Sequence, residues 1–320
     1  MTESLDRYLA AAQRPNTQRS YASAIRHFEV EAGCFLPATA DGVAHYLARY
    51  AADLSINTLK QRVAALARWH ADHGFPDPTR APIVKQALKG IAALHPAAEK
   101  QAVPLQIKQL AMISGFLEEA VLTARTNDDR ASELRHRRDH ALVLLGFWRG
   151  FRGDELIRLE VQHVRVVERK GMTLFLPRSK GDRENVGRTF KVPALSRLCP
   201  VTAVSKWIDT ADLTEGPLFR RVDRWGGIGK EELHPNSIVP LLRRVFADSG
   251  IASAEQYSGH SLRRGFAGWA NDNGWDVKAL MEYVGWKDVQ SAVRYIDGGD
   301  PFNQHRINAR LSKTRLPAPK

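Results

Sequence analysis

Apolar residues return every three or four positions through the first third of the chain: Tyr21, Ile25 and Phe28, then Val43, Leu47, Tyr50 and Leu54, then Leu59, Val63, Leu66 and Trp69. That spacing predicts amphipathic helices. Asn16 and Thr17 after Pro15, Asp41, and the stretch from Ser55 to Asn57 supply start signals, and Gly33 and Gly74 end the first and third patterns. With a shorter helix near residues 83–94, the pattern predicts an all-helical bundle over residues 1–95. Two prolines and few large apolar residues then mark an interdomain linker over residues 96–104. Beyond it, Leu110, Ile113, Leu117 and Val121 form another stripe, and residues 141–148 are apolar nearly all round, as in a helix at the middle of a core. The period changes at Met172, where two alternating runs flank a polar turn. This is a β-hairpin signature with Lys180 near its tip. The last third is helical again. Asn236 and Ser237 cap a helix whose first turn must hold Pro240, Ser258 opens the next and Gly274 closes it. Asp276 and Asp288 cap two short helices, the second carrying Tyr295 near its end. The expected fold is mainly α (α+β): a small helical domain, then a larger helical domain over residues 105–320 with a small β-sheet or hairpin.

Composition adds a partner class. Forty-seven Lys and Arg against 35 Asp and Glu give a formal charge of +12, spread along the chain and not gathered in a tail. Such a distribution suits a folded basic surface facing a polyanion. On the N-terminal helices, the faces opposite the apolar stripes carry Thr17, Arg19, Arg26, Lys60, Arg62 and Arg68. Thr17, Arg19, Lys60 and Arg62 are the candidate DNA-binding residues, since short polar and basic side chains together suit a major groove and its flanking phosphates, although a solvated helix face has the same composition. Cys34 and Cys199 are far apart and outside any paired ligand spacing, so neither a disulfide nor a zinc site is expected. No carboxylate–histidine ligand pattern is present, and no metal or cofactor is expected. An early acidic residue and the lack of a long uncharged apolar run predict a soluble, cytoplasmic, nucleoid-associated protein with no membrane partner.

The candidate chemistry lies in the second domain. Arg152 sits in Gly150-Phe151-Arg152-Gly153-Asp154-Glu155, Lys180 in Arg178-Ser179-Lys180-Gly181, and His260 and Arg263 three apart at a helix start, where N–H groups favour a phosphate. Trp286 follows Gly285, and Tyr295 comes nine residues later. Cleaving a phosphodiester without a metal requires cations on the non-bridging oxygens, a proton donor for the leaving oxygen and an oxygen nucleophile. Each residue alone has an ordinary role: Arg152 in an ion pair with Glu155, Lys180 in solvent, Tyr295 as a packed aromatic. The complete set in this order points instead to an enzyme that cuts and rejoins DNA through a phosphotyrosine.

That series resembles the active-site residues of the tyrosine recombinases, or phage integrases, and the resemblance runs along the whole chain. The segment from Asn16-Thr17-Gln18-Arg19-Ser20-Tyr21 is similar to the family's core-binding domain and the remainder to its catalytic domain. Trp286 stands where most members carry histidine, which, with the spacing and the lack of an arm-binding domain, resembles the Cre branch. The resemblance implies roles: Arg152 and Arg263 clamp the scissile phosphate, Tyr295 attacks, Lys180 protonates the 5′ oxygen, His260 assists the nucleophile's proton, Trp286 donates its indole N–H, and Glu155 orients the arginine and histidine. It further implies a double-stranded DNA target with inverted repeats, a Holliday junction, no metal or ATP, and a homotetramer. The tetramer would be joined by a C-terminal helix that starts at Asp300-Pro301 and contains Phe302, Ile307 and Leu311; the same helix could fold back on its own domain. The rival readings are a DNA-binding regulator that does not cut, a type IB topoisomerase and a metal nuclease.

Overall fold

The computed structural model describes residues 15–96, 101–167, 170–177 and 186–296. Lys180 and the expected C-terminal helix lie outside the described residues. The chain divides into two compact units, Met1–Lys100 and Gln101–Lys320.

In the first unit, α1 (Pro15–Arg26) runs into a π-helical turn (His27–Glu31), followed by α2 (Ala40–Arg49), α3 (Ile56–Asp72) and α4 (Pro82–Leu94). Phe28, Val43, Leu47, Leu59 and Leu66 meet in its core with Val84 and Ile91. Burying each of these large side chains contributes about 1.5–3 kcal/mol, which is what fixes the bundle. The third stripe departs from its expected face at the end, where His70, not Trp69, is fully buried. His70 can enter because both ring nitrogens are satisfied. Its Nε2 accepts the Ala38 N–H at 2.9 Å, which leaves Nδ1 as the donor to the Leu66 carbonyl at 2.8 Å. The start of α2 is capped by Thr39, whose hydroxyl accepts the Gly42 N–H at 3.1 Å, while Asp41 sits in the first turn. Ser55 caps α3 as its position in sequence predicts.

The second unit is built around α6. Its order is α5 (Ile107–Thr126), α6 (Arg130–Arg149), α7 (Gly153–Ile157), β1 (Val164–Val167), β2 (Gly171–Leu176), β3 (Arg188–Pro193) and α8 (Pro200–Thr210). Then come β4 (Arg220–Val222), β5 (Ile228–Glu232), α9 (Ile238–Asp248), α10 (Gly259–Asp272), α11 (Val277–Val284) and α12 (Val289–Ile296). Residues 141–148 of α6 are all buried, as a helix wrapped by other elements requires. Gly150 ends the helix at φ 58°, and an added Cβ there would meet Val284 at 3.3 Å, so glycine serves both the left-handed cap and the close approach of α11.

Strands β1, β2 and β3 form an antiparallel sheet in that order. Met172 faces Val192 and Leu174 faces Phe190, and these side chains are buried with Leu176, giving one apolar face of period two. The hairpin is where the alternation predicts it. The third strand, β1, and the separate β4–β5 hairpin are additions. Both are short and mostly exposed: β1 is Val164-Arg165-Val166-Val167 with no buried residue, and β4 is Arg220-Arg221-Val222 and buries only Val222, too little for a period-two signal. Pro240 is the third residue of α9 and so falls in its first turn, where no backbone donor is lost.

Candidate active site

Three elements of the second unit converge. Arg152 is the N-cap residue of α7, and Glu155 lies one turn on. One carboxylate oxygen of Glu155 accepts the Arg152 backbone N–H at 2.8 Å and the other accepts Nη1 of the Arg152 side chain at 2.8 Å. The same carboxylate approaches Nη1 of Arg263 at 3.8 Å. Glu155 therefore holds both arginines, and at 5% exposure it does so largely away from water.

Arg263 comes from the first turns of α10. Ser258 caps this helix, accepting the His260 N–H at 3.3 Å while its own N–H donates to the Ser261 hydroxyl at 3.0 Å. The Arg263 guanidinium is fully buried and donates to the carbonyl of Gly150, tying α10 to the end of α6. Burial, and after it the neighbouring Arg152 charge, pushes its pKa down to about 10. Its Nε and Nη2 have no hydrogen-bond partner among the described residues, and neither does the indole Nε1 of Trp286, which is also buried. Buried donors are normally paired, because an unmade hydrogen bond costs about 1–3 kcal/mol. Donors left this way on a cation and on its neighbour form a site whose chemistry fits an anion.

Tyr295, on α12, completes the cluster. Its hydroxyl lies 3.0 Å from Nδ1 of His260. Its ring stacks on Trp286 with centroids 5.2 Å apart at 27°, and the Arg263 guanidinium sits 5.0 Å from the Trp286 ring and 5.5 Å from the Tyr295 ring. Arg152, Glu155, His260, Arg263, Trp286 and Tyr295 thus converge through these contacts. A phenol oxygen beside an imidazole, a buried arginine and a second, half-buried one can act as a nucleophile at phosphorus. Among the described residues, no group of His, Cys, Asp and Glu is placed to hold a metal ion.

In the first unit, Thr17, Arg19 and Lys60 are exposed on α1 and α3, which are joined beside them by the Gln61 amide donating to the Ser20 carbonyl at 3.1 Å. Arg62 is placed differently. It is partly buried, with Nε and Nη1 inaccessible, and turns toward the Tyr46 phenol. The tyrosine's own burial raises that phenol to about 12. Arg149 and Arg188, which the sequence reading passed over, also border this cluster, near Arg263 and Gly285 respectively; the only signal for Arg149 is a charged residue closing the apolar run before Gly150.

The fold is that of DNA recombinases and integrases. Over 92% of this chain it matches a XerH site-specific recombinase bound to palindromic difH substrate (TM-score 0.61, 18% identity, 78% of that chain), and over 94% it matches the Tn1549 transposon integrase with transposon right end DNA (TM-score 0.61, 16% identity, 95% of that chain). Sequence gives the family. Residues 116–300, more than half of the chain, match the phage integrase family, and the protein belongs to it: it is an enzyme of the tyrosine recombinase class. It is 27% identical to an integrase/recombinase XerD homologue of Selenomonas ruminantium, over 96% of this chain and 89% of the relative. It is 23% identical to the Cre recombinase of Escherichia phage P1, over 82% and 77% respectively. No helix among the described residues is long and apolar enough to cross a membrane.

Proposed function

We propose that the protein cleaves and rejoins double-stranded DNA at a specific site through a 3′-phosphotyrosyl intermediate on Tyr295. The observation that carries this reading is the Tyr295 hydroxyl 3.0 Å from His260 Nδ1, within the cluster of the buried Arg263. Tyr295 Oη attacks the scissile phosphorus, forming the P–Oη bond as the bond to the 5′ oxygen breaks. The phenolic proton passes to His260 Nδ1, and Lys180 supplies the proton that leaves with the 5′ oxygen. Arg152 and Arg263 bind the non-bridging oxygens, whose charge grows in the transition state, and Trp286 adds its indole N–H. These cations provide the electrostatic stabilisation, so no metal ion enters the mechanism. The phosphotyrosine retains the energy of the phosphodiester, so rejoining is the reverse displacement by a 5′ hydroxyl and needs no ATP.

Two rounds of this exchange among four protomers, through a Holliday junction at inverted repeats, form the reaction that follows. Thr17, Arg19 and Lys60 are the proposed DNA contacts of the N-terminal unit, with Arg62 contributing from its partly buried position. The protein works in the cytoplasm on the nucleoid. Trp286 in place of histidine supports a Cre-like variant of the chemistry.

The test is a nicked suicide duplex carrying the target, incubated in EDTA. The wild-type protein forms a covalent adduct, and Tyr295→Phe abolishes it while DNA affinity is kept. An adduct that survives that substitution refutes the assignment.

A further inference from the structure

The end of α11 is held by two arginines that lie outside the proposed phosphate clamp and form no salt bridge among the described residues. Arg149, the last residue of α6, is buried at 3% exposure and donates through Nη2 to the carbonyl of Tyr283. Its guanidinium lies 3.9 Å from the Tyr283 ring centroid and 4.9 Å from that of Phe190. Arg188, the first residue of β3, donates through Nη2 to the carbonyl of Glu282 at 2.7 Å and lies 5.2 Å over the Phe190 ring. The Met281 carbonyl accepts the N–H groups of Gly285 and Trp286, at 2.7 and 3.0 Å. Three consecutive carbonyls at the helix end are therefore occupied, two of them by cations, which is also where the helix dipole favours positive charge.

What this grip fixes is the turn leading to the nucleophile. Gly285 caps α11 at φ 86°, and a Cβ on it would come within 2.4 Å of Arg188 Nη1, so the guanidinium lies directly against the turn. Trp286 follows at once, between Arg263 and the Tyr295 ring. Helix α12 is short, and of its described side chains only Ala292 is fully buried, so the position of Tyr295 leans on the Trp286 stack. We infer that Arg188 and Arg149 are positioning residues for the nucleophile: by gripping the carbonyl end of α11 they hold Trp286, and through it Tyr295, at the phosphate. One consequence is that the β2–β3 sheet, through Arg188, is mechanically tied to the nucleophile's turn.

This inference rests on the proposed role of Tyr295. Arg188 gives the cleaner test, because it is exposed and its loss leaves the core intact. Single-turnover cleavage of the suicide duplex at saturating enzyme is measured for wild type, Arg188→Ala and Arg188→Lys, alongside DNA affinity over a salt series. A small displacement of a reacting group lowers rate steeply, so Arg188→Ala cleaves roughly tenfold or more slowly. Its DNA affinity and salt dependence stay those of wild type. Arg188→Lys, which restores one donor toward the Glu282 carbonyl, recovers part of the rate. An unchanged rate in Arg188→Ala overturns the inference, as does a lysine variant no better than alanine. A loss of affinity with a salt slope reduced by about one makes Arg188 a phosphate contact and also overturns it. If wild type forms no adduct, or Tyr295→Phe retains it, the reading of the site falls and the positioning role falls with it; a normal wild-type adduct with an unaffected Arg188→Ala rate sinks the positioning role alone.

Discussion

Replacing Glu155 by glutamine removes one charge and exchanges one oxygen for an amide at the point where both arginines are held. Both carboxylate oxygens accept N–H groups of Arg152 at 2.8 Å, and Arg263 Nη1 lies 3.8 Å from one of them. Glutamine offers one acceptor. Whichever way the amide turns, its NH2 meets an N–H of Arg152, so one hydrogen bond is lost and replaced by a donor–donor contact. Hydrogen bonds to charged groups contribute about 1.5–3 kcal/mol, and breaking a buried ion pair costs about 3–5 kcal/mol. The Arg152 side chain is 29% exposed, which places the loss near the lower bound, about 3 kcal/mol. For a unit of this size that corresponds to a melting point lower by about 6–12 °C. The lost charge has a second, independent consequence. With Glu155 neutral, the two guanidinium groups lack their counter-charge, so a bound phosphodiester offsets more in the variant than in wild type. Thermal melting with and without a saturating target duplex of Tyr295→Phe and of the Glu155→Gln, Tyr295→Phe double variant measures both effects without turnover. A melting point unaffected by the change at Glu155, or a DNA-induced rise no larger than in its absence, refutes the claim that this carboxylate holds the arginine pair.

Trp286→Phe keeps the stack on Tyr295 and removes a buried donor that has no partner among the described residues. The free protein is expected to be as stable as wild type or slightly more so, while adduct formation slows by roughly tenfold or more through loss of one donor to the transition state; a stability loss with an unchanged rate would assign the indole N–H a structural role. Burial pushes His140 down to about 4, with the charges of Lys206 and Arg137 acting in the same direction, and His136 and His27 are lowered chiefly by burial as well. These imidazoles bind protons more readily unfolded than folded, so their stabilisation is complete above pH 6.5 and is lost as pH falls below it; for His140 the loss runs down to about pH 4 and reaches about 3 kcal/mol. Melting points measured across that window fall with acid in wild type and fall less steeply in His140→Asn; equal slopes would refute the contribution of His140.

The residues of the cluster were easier to find in the sequence than the smaller elements of the fold. Arg152, Glu155, His260, Arg263, Trp286 and Tyr295 stood out in the sequence by residue type and order, and the structure brings them together, with Ser258 and Asp276 capping helices where the sequence placed them. The β2–β3 hairpin was legible from its alternation, with Leu174 opposite Phe190. Strands β1, β4 and β5 were not, since they are short and their side chains are mostly charged or exposed, which leaves no alternation of buried and exposed positions to read. His70 was missed because a polar residue enters a core only when specific partners wait there, here the Ala38 N–H and the Leu66 carbonyl. Arg62 reads as one more basic residue on a helix face, and only the packing of Tyr46 draws it inward. Arg149 and Arg188 bind backbone carbonyls, which leave no mark on residue type at all.

In the proposed reaction Tyr295 Oη becomes bonded to DNA. Trypsin cutting after Arg294 and Arg306 releases Tyr295 as the single tyrosine of a short peptide. Mass spectrometry of the nuclease-trimmed covalent complex is predicted to find that peptide carrying a nucleotide through its 3′ phosphate. A nucleotide on any other residue, or an unmodified Tyr295 peptide from purified adduct, would rule out Tyr295 as the nucleophile.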